Sequence, residues 1–388
     1  MTDTASDPTW ESTRAWHELL DGLRGLDQVF LAGDKAVTGE EAIVDGYRNL
    51  VTTLAVALDC YLFPDPSRPQ FVETVSPFRR DRRWGGDNTD SYYHFVILDP
   101  RRTYRISGQR GDSAYFSFTV YNEPSPGAWS DRVDGVVNDS DLTFDQDGRF
   151  SFMVGPARPA AYDGPFVETR PDTKAALTRD YQVDPFTGRP VQWEIEALEE
   201  PDPVRLSDTE TAESLRSALR WMQTMFAIVP LTVGVRNEDE RHDLGHAIAQ
   251  VANTFADPYR VPDFNFGWSA TDACYAFGSY VLAEDEALVV THRPPDCRFW
   301  NVITWNQFMA GHTVTDGRIS VNHGSAVPNT DGTVTVVISR GAADHPNAIS
   351  TMGRERGNLA FRWFLADEVP APPVVELVRL ADAPTTTR

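Results

Sequence analysis

The spacing of the apolar residues changes repeatedly along this chain of 388 residues, and these changes constrain its fold more than any other feature. From Val44 to Tyr61, apolar side chains recur at steps of three and four residues, which predicts an amphipathic helix. An earlier helix is predicted from Trp10 to Phe30. From about residue 90 the period becomes two, which is typical of strands. Helices are predicted again at Glu210 to Phe226 and Asp239 to Phe255, and strands return after Pro262.

We therefore predict an α+β protein dominated by strands, with two β-sandwich units. The predicted order is an N-terminal helical region at 1–75, a first β-sandwich unit at 76–205, a helical insertion at 206–260, and a second β-sandwich unit with a C-terminal tail at 261–388. Within the first unit, residues 156–190 are rich in proline, glycine and charge, and we expect them to form a long loop.

The composition excludes several kinds of partner. The chain has 57 acidic against 35 basic residues, a net charge of −22. Because such a surface repels phosphate backbones and anionic headgroups, we expect neither a nucleic acid nor a membrane as partner. Three scattered cysteines are too few for a disulfide framework. The N-terminus has no signal-peptide pattern, and no apolar run reaches membrane-spanning length, so we expect a soluble cytoplasmic protein.

One segment opposes the overall acidity. Residues 76–111 contain eight arginines and four aspartates, a local charge of +4. Arginine clusters recognise carboxylate, sulfate or phosphate groups through paired planar donors. They also neutralise acidic neighbours across a domain or subunit contact. The sequence leaves both interpretations open.

Within this segment, the run from Trp84 to Asp90 combines glycines with polar residues. Gly85 and Gly86 allow a sharp backbone turn. Asp87 and Asp90 are candidates for an acid/base pair, since paired carboxylates carry out such chemistry. Aspartate beside glycine is also typical of a purely structural turn.

A strand predicted from Arg298 to Asn306 places Asn301 and Trp305 on one face. An asparagine among large aromatic side chains can orient a ligand in an apolar pocket, or can hydrogen-bond within the core. A third candidate is the pair His242 and His246, four residues apart on a predicted helix, which could hold zinc. Asp243 is shorter than the glutamate of metalloproteases and no third ligand is evident, so a surface helix is favoured and we predict no metal or other cofactor.

The chain also resembles a known family. The resemblance rests on the residues 84–93 and 104–108 and on a second stretch from Asp285 to Asp367 that contains Trp305-Asn306, Ser320-Val321-Asn322 and Asp344-His345-Pro346-Asn347. These motifs are similar to actinobacterial proteins of the family called domain of unknown function 1214, often paired with domain of unknown function 1254. The resemblance implies jelly-roll-like sandwiches and frequent oligomers, but no established reaction. Family members commonly have Asn-Trp-Leu where this chain has Asn347-Ala348-Ile349.

Two hypotheses of function follow. The first is a hydrolase, such as a glycoside hydrolase, or a lyase, which acts without a redox cofactor on a small sugar-like or anionic substrate. Asp87 and Asp90 would be its catalytic residues. The substrate would be bound by polar and aromatic side chains: Asn88, Tyr92, Tyr93, Arg83, Arg105, Trp305, Asn322 and Asn347. The second hypothesis is a non-catalytic ligand-binding protein or a homo-oligomer in which the same residues close an interface.

Overall fold

The computed structural model describes residues 10–203, 207–231, 248–249, 251–261 and 267–386. Four α-helices lie within these residues: α1 (Glu11–Leu26), α2 (Gln28–Leu31), α3 (Glu40–Tyr61) and α4 (Asp208–Ile228). α3 begins after Gly39, which has a φ of +91°. α4 begins at an N-cap in which the Ser207 side chain accepts a hydrogen bond from the Glu210 amide. The helices predicted before the first β-sandwich unit, and the helix predicted after it from Glu210 to Phe226, are thus confirmed.

The first β-sandwich consists of a five-stranded and a four-stranded sheet. The five-stranded sheet has the order β1-β2-β8-β4-β5, and the four-stranded sheet has the order β7-β6-β3-β9. The strands are β1 (Val72–Val75), β2 (Ser91–Ile97), β3 (Tyr104–Gln109), β4 (Tyr115–Asn122), β5 (Val133–Asn138), β6 (Arg149–Gly155), β7 (Phe166–Glu168), β8 (Thr173–Tyr181) and β9 (Gln192–Ala197). Apolar side chains from the two facing sheets form the core of the sandwich.

The second β-sandwich repeats this arrangement strand for strand. Its inner sheet has the order β10-β12-β18-β14-β15, with β11 also paired to β12, and its outer sheet has the order β17-β16-β13-β19. The strands are β10 (Thr254–Phe255), β11 (Tyr259–Arg260), β12 (Ala273–Val281), β13 (Glu286–His292), β14 (Phe299–Trp305), β15 (Ser320–Asn322), β16 (Val334–Ser339), β17 (Ala348–Ser350), β18 (Arg356–Phe364) and β19 (Val374–Arg379). The strand-dominated class, with two β-sandwiches and a helix between them, is therefore confirmed.

The inner sheets of the two sandwiches, five-stranded in the first and six-stranded with β11 in the second, face each other. Each inner sheet packs one face against its own outer sheet. The opposite faces of the two inner sheets, together with α3 and α4, form a third apolar layer between the sandwiches. Tyr181 and Phe364 occupy equivalent positions in β8 and β18, and their rings touch across this layer with centroids 4.3 Å apart. The middle of the molecule is thus built from two sheets with the same topology.

Two segments differ from the sequence-based expectation. The long loop predicted at 156–190 is wrong in part, because it contains β8, which is hydrogen-bonded between β2 and β4. β8 carries Lys174, Arg179 and Asp180, so it lacks the simple alternation that predicts a strand. Residues 374–379, expected in an extended tail, form β19 and pair with β13.

The helix at 40–61 is confirmed, but its orientation differs from the apolar pattern. Val44, Tyr47 and Val51 are exposed, whereas the polar residues Asp45 and Asn49 are buried. Within the described part of the chain, no helix has the length and apolar character needed to cross a bilayer.

Candidate functional site

A cavity of about 90 Å³ lies between the two inner sheets, against α4. Apolar side chains, the majority of them aromatic, form most of its wall and come from both sandwiches and from the helical insertion. The aromatic lining residues are Trp84, Tyr93, Trp129, Trp221, Tyr259, Trp268, Tyr275 and Phe277. The rings contact one another: the Trp84 and Trp221 centroids are 5.0 Å apart, and those of Trp221 and Trp268 are 5.5 Å apart. The cavity is therefore lined mainly by rigid apolar surface.

One wall is the turn at Gly85 and Gly86. Both have positive φ, +64° and +74°, which confirms the sharp turn predicted from the sequence. A Cβ atom on Gly86 would lie 3.0 Å from the Met309 methyl carbon, so a larger residue would require both strain and displacement. The turn directs the carbonyl groups of Gly86 and Asp87 toward β18.

Arg179 of β8 lines the cavity from the first sandwich. Its guanidinium donates to the hydroxyls of Thr119 (3.1 Å) and Tyr121 (2.9 Å) and to the carbonyl of Trp268. It also lies over the ring of Tyr93, 5.4 Å from the centroid. Only 3 % of the residue is exposed.

Arg362 of β18 lines the cavity from the second sandwich and is also 3 % exposed. It donates to the carbonyls of Gly86 and Asp87, and it lies over the rings of Tyr275 and Trp305 at 5.9 and 5.0 Å. Trp305 donates from its indole nitrogen to the same Asp87 carbonyl at 2.9 Å. This second arginine thus joins the glycine turn of one sandwich to the aromatic wall of the other.

The two arginines are equivalent in the repeated topology. Tyr93 of β2 lies opposite Arg179, and Tyr275 of β12 lies opposite Arg362 in the same register. Each tyrosine also follows an aspartate by three residues, Asp90 in the first sandwich and Asp272 in the second. The repeated pattern brings two tyrosine–arginine pairs to one cavity.

Neither arginine forms an ion pair with a carboxylate of the described residues, since all their contacts there are hydroxyls, carbonyls or rings. Asp87 is the acidic residue in the cavity lining, but its carboxylate is paired with Arg83 and accepts a hydrogen bond from the Gly311 amide at 2.8 Å. Hydroxyls and carbonyls satisfy N–H groups without neutralising their charge. The described part of the cavity therefore carries excess positive charge.

Asp90 and Asn88 hold the two sandwiches together. Asp90 accepts hydrogen bonds from Ser320 Oγ (2.6 Å), Asn301 Nδ2 (2.8 Å) and Asn322 Nδ2 (3.2 Å) of the second sandwich. The side chains of Asn88 and Asn301 are joined by two hydrogen bonds, at 2.8 and 3.1 Å. Both atoms of the Asp90 carboxylate thus have partners, and the group is buried away from the cavity lining.

Burial raises the pKa of both the Asp87 and the Asp90 carboxyls above the ordinary value. The charge of Arg83 opposes this effect at Asp87, and the donors from the second sandwich oppose it at Asp90. The catalytic roles predicted for these residues remain predictions.

The structure brings some of the predicted site residues together and separates others. Tyr93 and Asp87 line the cavity, Trp305 and Arg83 lie directly behind it, and Asn88 and Asn322 belong to the network around Asp90. The remaining three contact neither the cavity nor that network: Tyr92 is half-buried on β2, Arg105 pairs with Glu196 on the outer sheet, and Asn347 bonds to Val327 and Thr335.

The arginine-rich segment proves to be paired. Each of its eight arginines lies within 4.0 Å of a carboxylate. Of the two interpretations left open by the sequence, the geometry supports neutralisation of acidic neighbours, which include residues distant in sequence such as Asp59, Asp202 and Asp316.

Metal ligation finds no support in the described residues, where no group of three or more His, Cys, Asp or Glu side chains is placed to hold an ion. His242 and His246 lie outside the described residues, as does most of the helix predicted there. The last residues of that predicted helix, Thr254 and Phe255, form β10.

Comparison with protein families supports the resemblance found in the sequence. Residues 93–184 and 283–368 match the model of a family described as a protein of unknown function, DUF1214. The chain is thus similar to this family over these two segments. The first matched segment contains Tyr93 and Arg179, and the second contains Arg362, so both cavity arginines lie in the matched segments.

The chain is similar to solved structures along nearly its whole length. A protein of unknown function from Burkholderia cenocepacia is 26 % identical, covers 96 % of this chain and 98 % of its own, and has a TM-score of 0.83. A protein from Vibrio parahaemolyticus is 13 % identical over 92 % of this chain and 100 % of its own, with a TM-score of 0.49. A search of curated proteins finds no match. The first comparison shows that the double-sandwich fold is shared.

Sequence reasoning missed both cavity arginines. Arg179 lies in the segment 156–190, which was expected to be a loop, and Arg362 lies in the stretch from Asp285 to Asp367 but was given no role. The available signal was a repeat: Asp-x-x-Tyr at Asp90 and Asp272, with Arg-x-Tyr or Arg-x-Phe at Arg179 and Arg362. Such short and degenerate motifs become significant only when strand pairing places them in the same register.

Proposed function

We propose that the protein binds a small carboxylate with a short apolar body in the cavity between the inner sheets, with Arg179 and Arg362 facing its charge. The observation that carries this proposal is the pair of buried guanidiniums that have no carboxylate partner among the described residues. Burying a charge without a counter-charge is costly, and arginine cannot lose its proton in a protein. An anionic ligand supplies the missing charge.

The size of the cavity restricts the ligand. The volume is about 90 Å³, whereas an apolar cavity of about 150 Å³ holds one benzene ring. Short-chain acids such as acetate, propionate and butyrate match this volume better than an aromatic or sugar acid.

The lining supports an apolar body for the ligand. Aromatic and aliphatic side chains together form most of the wall, and such surfaces favour methyl and methylene groups over hydroxyls. A sugar would need several free polar partners, but the Asp90 carboxylate is already bonded to three donors. A planar carboxylate also suits guanidinium, because the two groups form paired hydrogen bonds.

The experiment is calorimetric titration of the purified protein with acetate, propionate and butyrate, and with the neutral analogue propionamide. We expect saturable binding of at least one acid and none of propionamide. The variants R179M and R362M should each weaken acid binding at least tenfold, equivalent to about 1.4 kcal/mol. R105M is the matched control, since Arg105 is on the outer sheet and paired with Glu196.

Equal binding of propionate and propionamide to the unaltered protein would overturn the proposal, and this comparison does not depend on whether the variants fold. Failure of all three acids to bind would overturn it as well.

A hydrolase or lyase acting on the same class of anion is the second candidate, because Asp87 also lines the cavity and burial raises its pKa. Proton NMR of short hydroxy acids and of their O-acyl esters, which keep a free carboxylate, incubated with the protein tests this candidate. Product signals that disappear in a folded D87N variant would support the enzyme, whereas unchanged spectra would favour binding alone.

A further inference from the structure

A second cleft, here called the α3 cleft, lies between α3 and the segment 306–316 and has a volume of about 100 Å³. It is on the other side of the Arg83–Asp87 ion pair from the central cavity: Arg83 lines the cleft, and Asp87 lines the cavity. Gly311 packs against this pair so closely that a Cβ atom would lie 2.4 Å from Arg83 Nη2. The pair and Gly311 therefore form a wall between the two sites.

α3 presents its polar side to this cleft. A helix on a protein surface normally buries its apolar face, but here Val44, Tyr47 and Val51 are exposed. The buried side carries Asp45, Asn49 and Thr52, all of which line the cleft. Burying a polar side chain is unfavourable unless it finds a hydrogen-bond partner.

Two buried side chains in the cleft have atoms without such a partner among the described residues. Asn49 is 2 % exposed, and neither its Nδ2 nor its Oδ1 is hydrogen-bonded there. His312 is 7 % exposed, and its Nε2 is likewise unpartnered. Buried polar atoms are nearly always paired in folded proteins, so three such atoms in one cleft call for an explanation.

The tautomer of His312 makes its unpartnered nitrogen, Nε2, a hydrogen-bond donor. Its Nδ1 lies 3.4 Å from Nη1 of Arg354, which can only donate, so Nδ1 is the acceptor and the hydrogen is on Nε2. Burial, and then the charges of Arg354 and Arg83, lower the pKa of the ring to about 3, and Asp316 opposes this weakly. His312 is therefore neutral at neutral pH and offers one N–H to the cleft.

The charges around the cleft favour an anion. Four arginines line it, Arg48, Arg80, Arg83 and Arg354, against two aspartates, Asp45 and Asp316. Arg354 pairs with Asp45 through two hydrogen bonds, at 2.7 and 2.9 Å, and Arg80 pairs with Asp316. Arg83 pairs with Asp87 within the wall between the two sites. Arg48, exposed at the rim, has no ion pair with a described carboxylate.

We propose that the α3 cleft binds a phosphate oxyanion that carries a P–OH group, either inorganic hydrogen phosphate or the monoanion of a phosphate monoester, with Asn49, His312 and Arg48 as its contacts. The imidazole and amide N–H groups donate to oxyanion oxygens, and Arg48 adds charge from the rim. Asn49 Oδ1 accepts from a P–OH group, which hydrogen phosphate carries at neutral pH and sulfate and carboxylate do not. This site is independent of the carboxylate proposed for the central cavity.

The test is titration of the purified protein at about pH 6 with inorganic phosphate, sulfate and phenyl phosphate, followed by calorimetry and ³¹P NMR. At this pH, near the second pKa of a phosphate monoester, both phosphates carry P–OH groups. We expect phosphate to bind at least tenfold more tightly than sulfate. Phenyl phosphate binding as tightly as inorganic phosphate would support a monoester as ligand, and weaker binding would support the free ion.

The variants N49L and R48A should weaken phosphate binding, by at least tenfold and severalfold respectively, and should leave propionate binding at the central cavity unchanged. N49L removes an unpartnered buried amide at similar volume, so we expect it to fold. R101A is the control, because Arg101 is exposed and paired with Asp99. Sulfate binding as tight as phosphate, or phosphate binding unaffected by N49L, would overturn the proposal.

Discussion

Two groups of arginines in this protein differ in a way that their sequence does not reveal. The segment 76–111 concentrates eight arginines, and each of them has a carboxylate within 4.0 Å. Arg179 and Arg362 lie in strands outside this segment, and neither has such a partner among the described residues. The cluster that attracts attention in the sequence is neutralised, and the isolated pair is not.

An anion site is therefore indicated by buried arginines that lack a carboxylate partner, and not by a high local density of arginines. Arg83 illustrates this point, because it is as deeply buried as Arg179 but is paired with Asp87. A buried arginine that is paired with a carboxylate contributes to the wall of a site. A buried arginine without such a partner is stabilised when an anionic ligand binds beside it.

The largest expected effect on the free energy of unfolding concerns the buried ion pair of Arg83 and Asp87. R83M leaves the Asp87 carboxylate buried without its partner, and we expect a loss of about 3–5 kcal/mol in the free energy of unfolding, measured by urea denaturation. R179M leaves no described carboxylate alone, so its loss should be clearly smaller. An equal loss for R179M would show that Arg179 has a carboxylate partner after all, and the comparison would fail.

The second-largest effect is expected at a buried histidine. Histidine can lose its proton and become neutral when it is buried, whereas arginine cannot. His292 packs against Trp300 and Phe361 with ring centroids 4.5 and 4.6 Å apart, and burial lowers its pKa from 6.5 to about 3. Between these two pH values the unfolded chain binds a proton that the folded protein does not. The free energy of unfolding should therefore fall as the pH falls, by up to about 1.4 kcal/mol per pH unit.

H292F should remove this part of the acid sensitivity, while H17Q, at an exposed position of α1, should not. Urea denaturation at a series of pH values between 7 and 4 measures both. An unchanged slope in H292F would show that the histidine is charged in the folded protein, contrary to the contrast drawn with Arg179.

The smallest effect is expected on the surface. The side chain of Arg105 is 47 % exposed, and its partner Glu196 is 59 % exposed. Exposed ion pairs contribute about 0–1 kcal/mol, so R105M should change the free energy of unfolding by less than this amount. A loss comparable to that of R83M would mean that exposed ion pairs in the segment 76–111 stabilise the fold as much as the buried pair does.

Much of the fold could be predicted because its signals are local. The strands β13, β14 and β16 alternate or run apolar over six or seven residues and end at turn residues. β8 was missed because it lies between two apolar layers and carries charges on both faces, which destroys the alternation. The burial of Asn49 instead of Tyr47 could not be predicted either, because the face that a helix buries is decided by what packs against it.

The candidate site was predictable only in part. The glycine turn and the aromatic character of residues 84–93 were visible in the sequence, and Tyr93 and Asp87 do line the cavity. The network that Asp90 forms with Asn301 and Asn322 joins residues more than 200 positions apart. No local pattern encodes such a contact.

The sequence by itself determined the alternation of helices and strands, the two-sandwich class and the turn at Gly85 and Gly86, because these follow from local periodicity and backbone freedom. The tertiary structure alone decided which charges are neutralised. Arg82 pairs with Asp59 and Arg80 with Asp316, while Arg179 and Arg362 meet at one cavity through equivalent registers of two sheets. Electrostatic compensation acts through space over a few ångströms, so it depends on how distant segments are brought together.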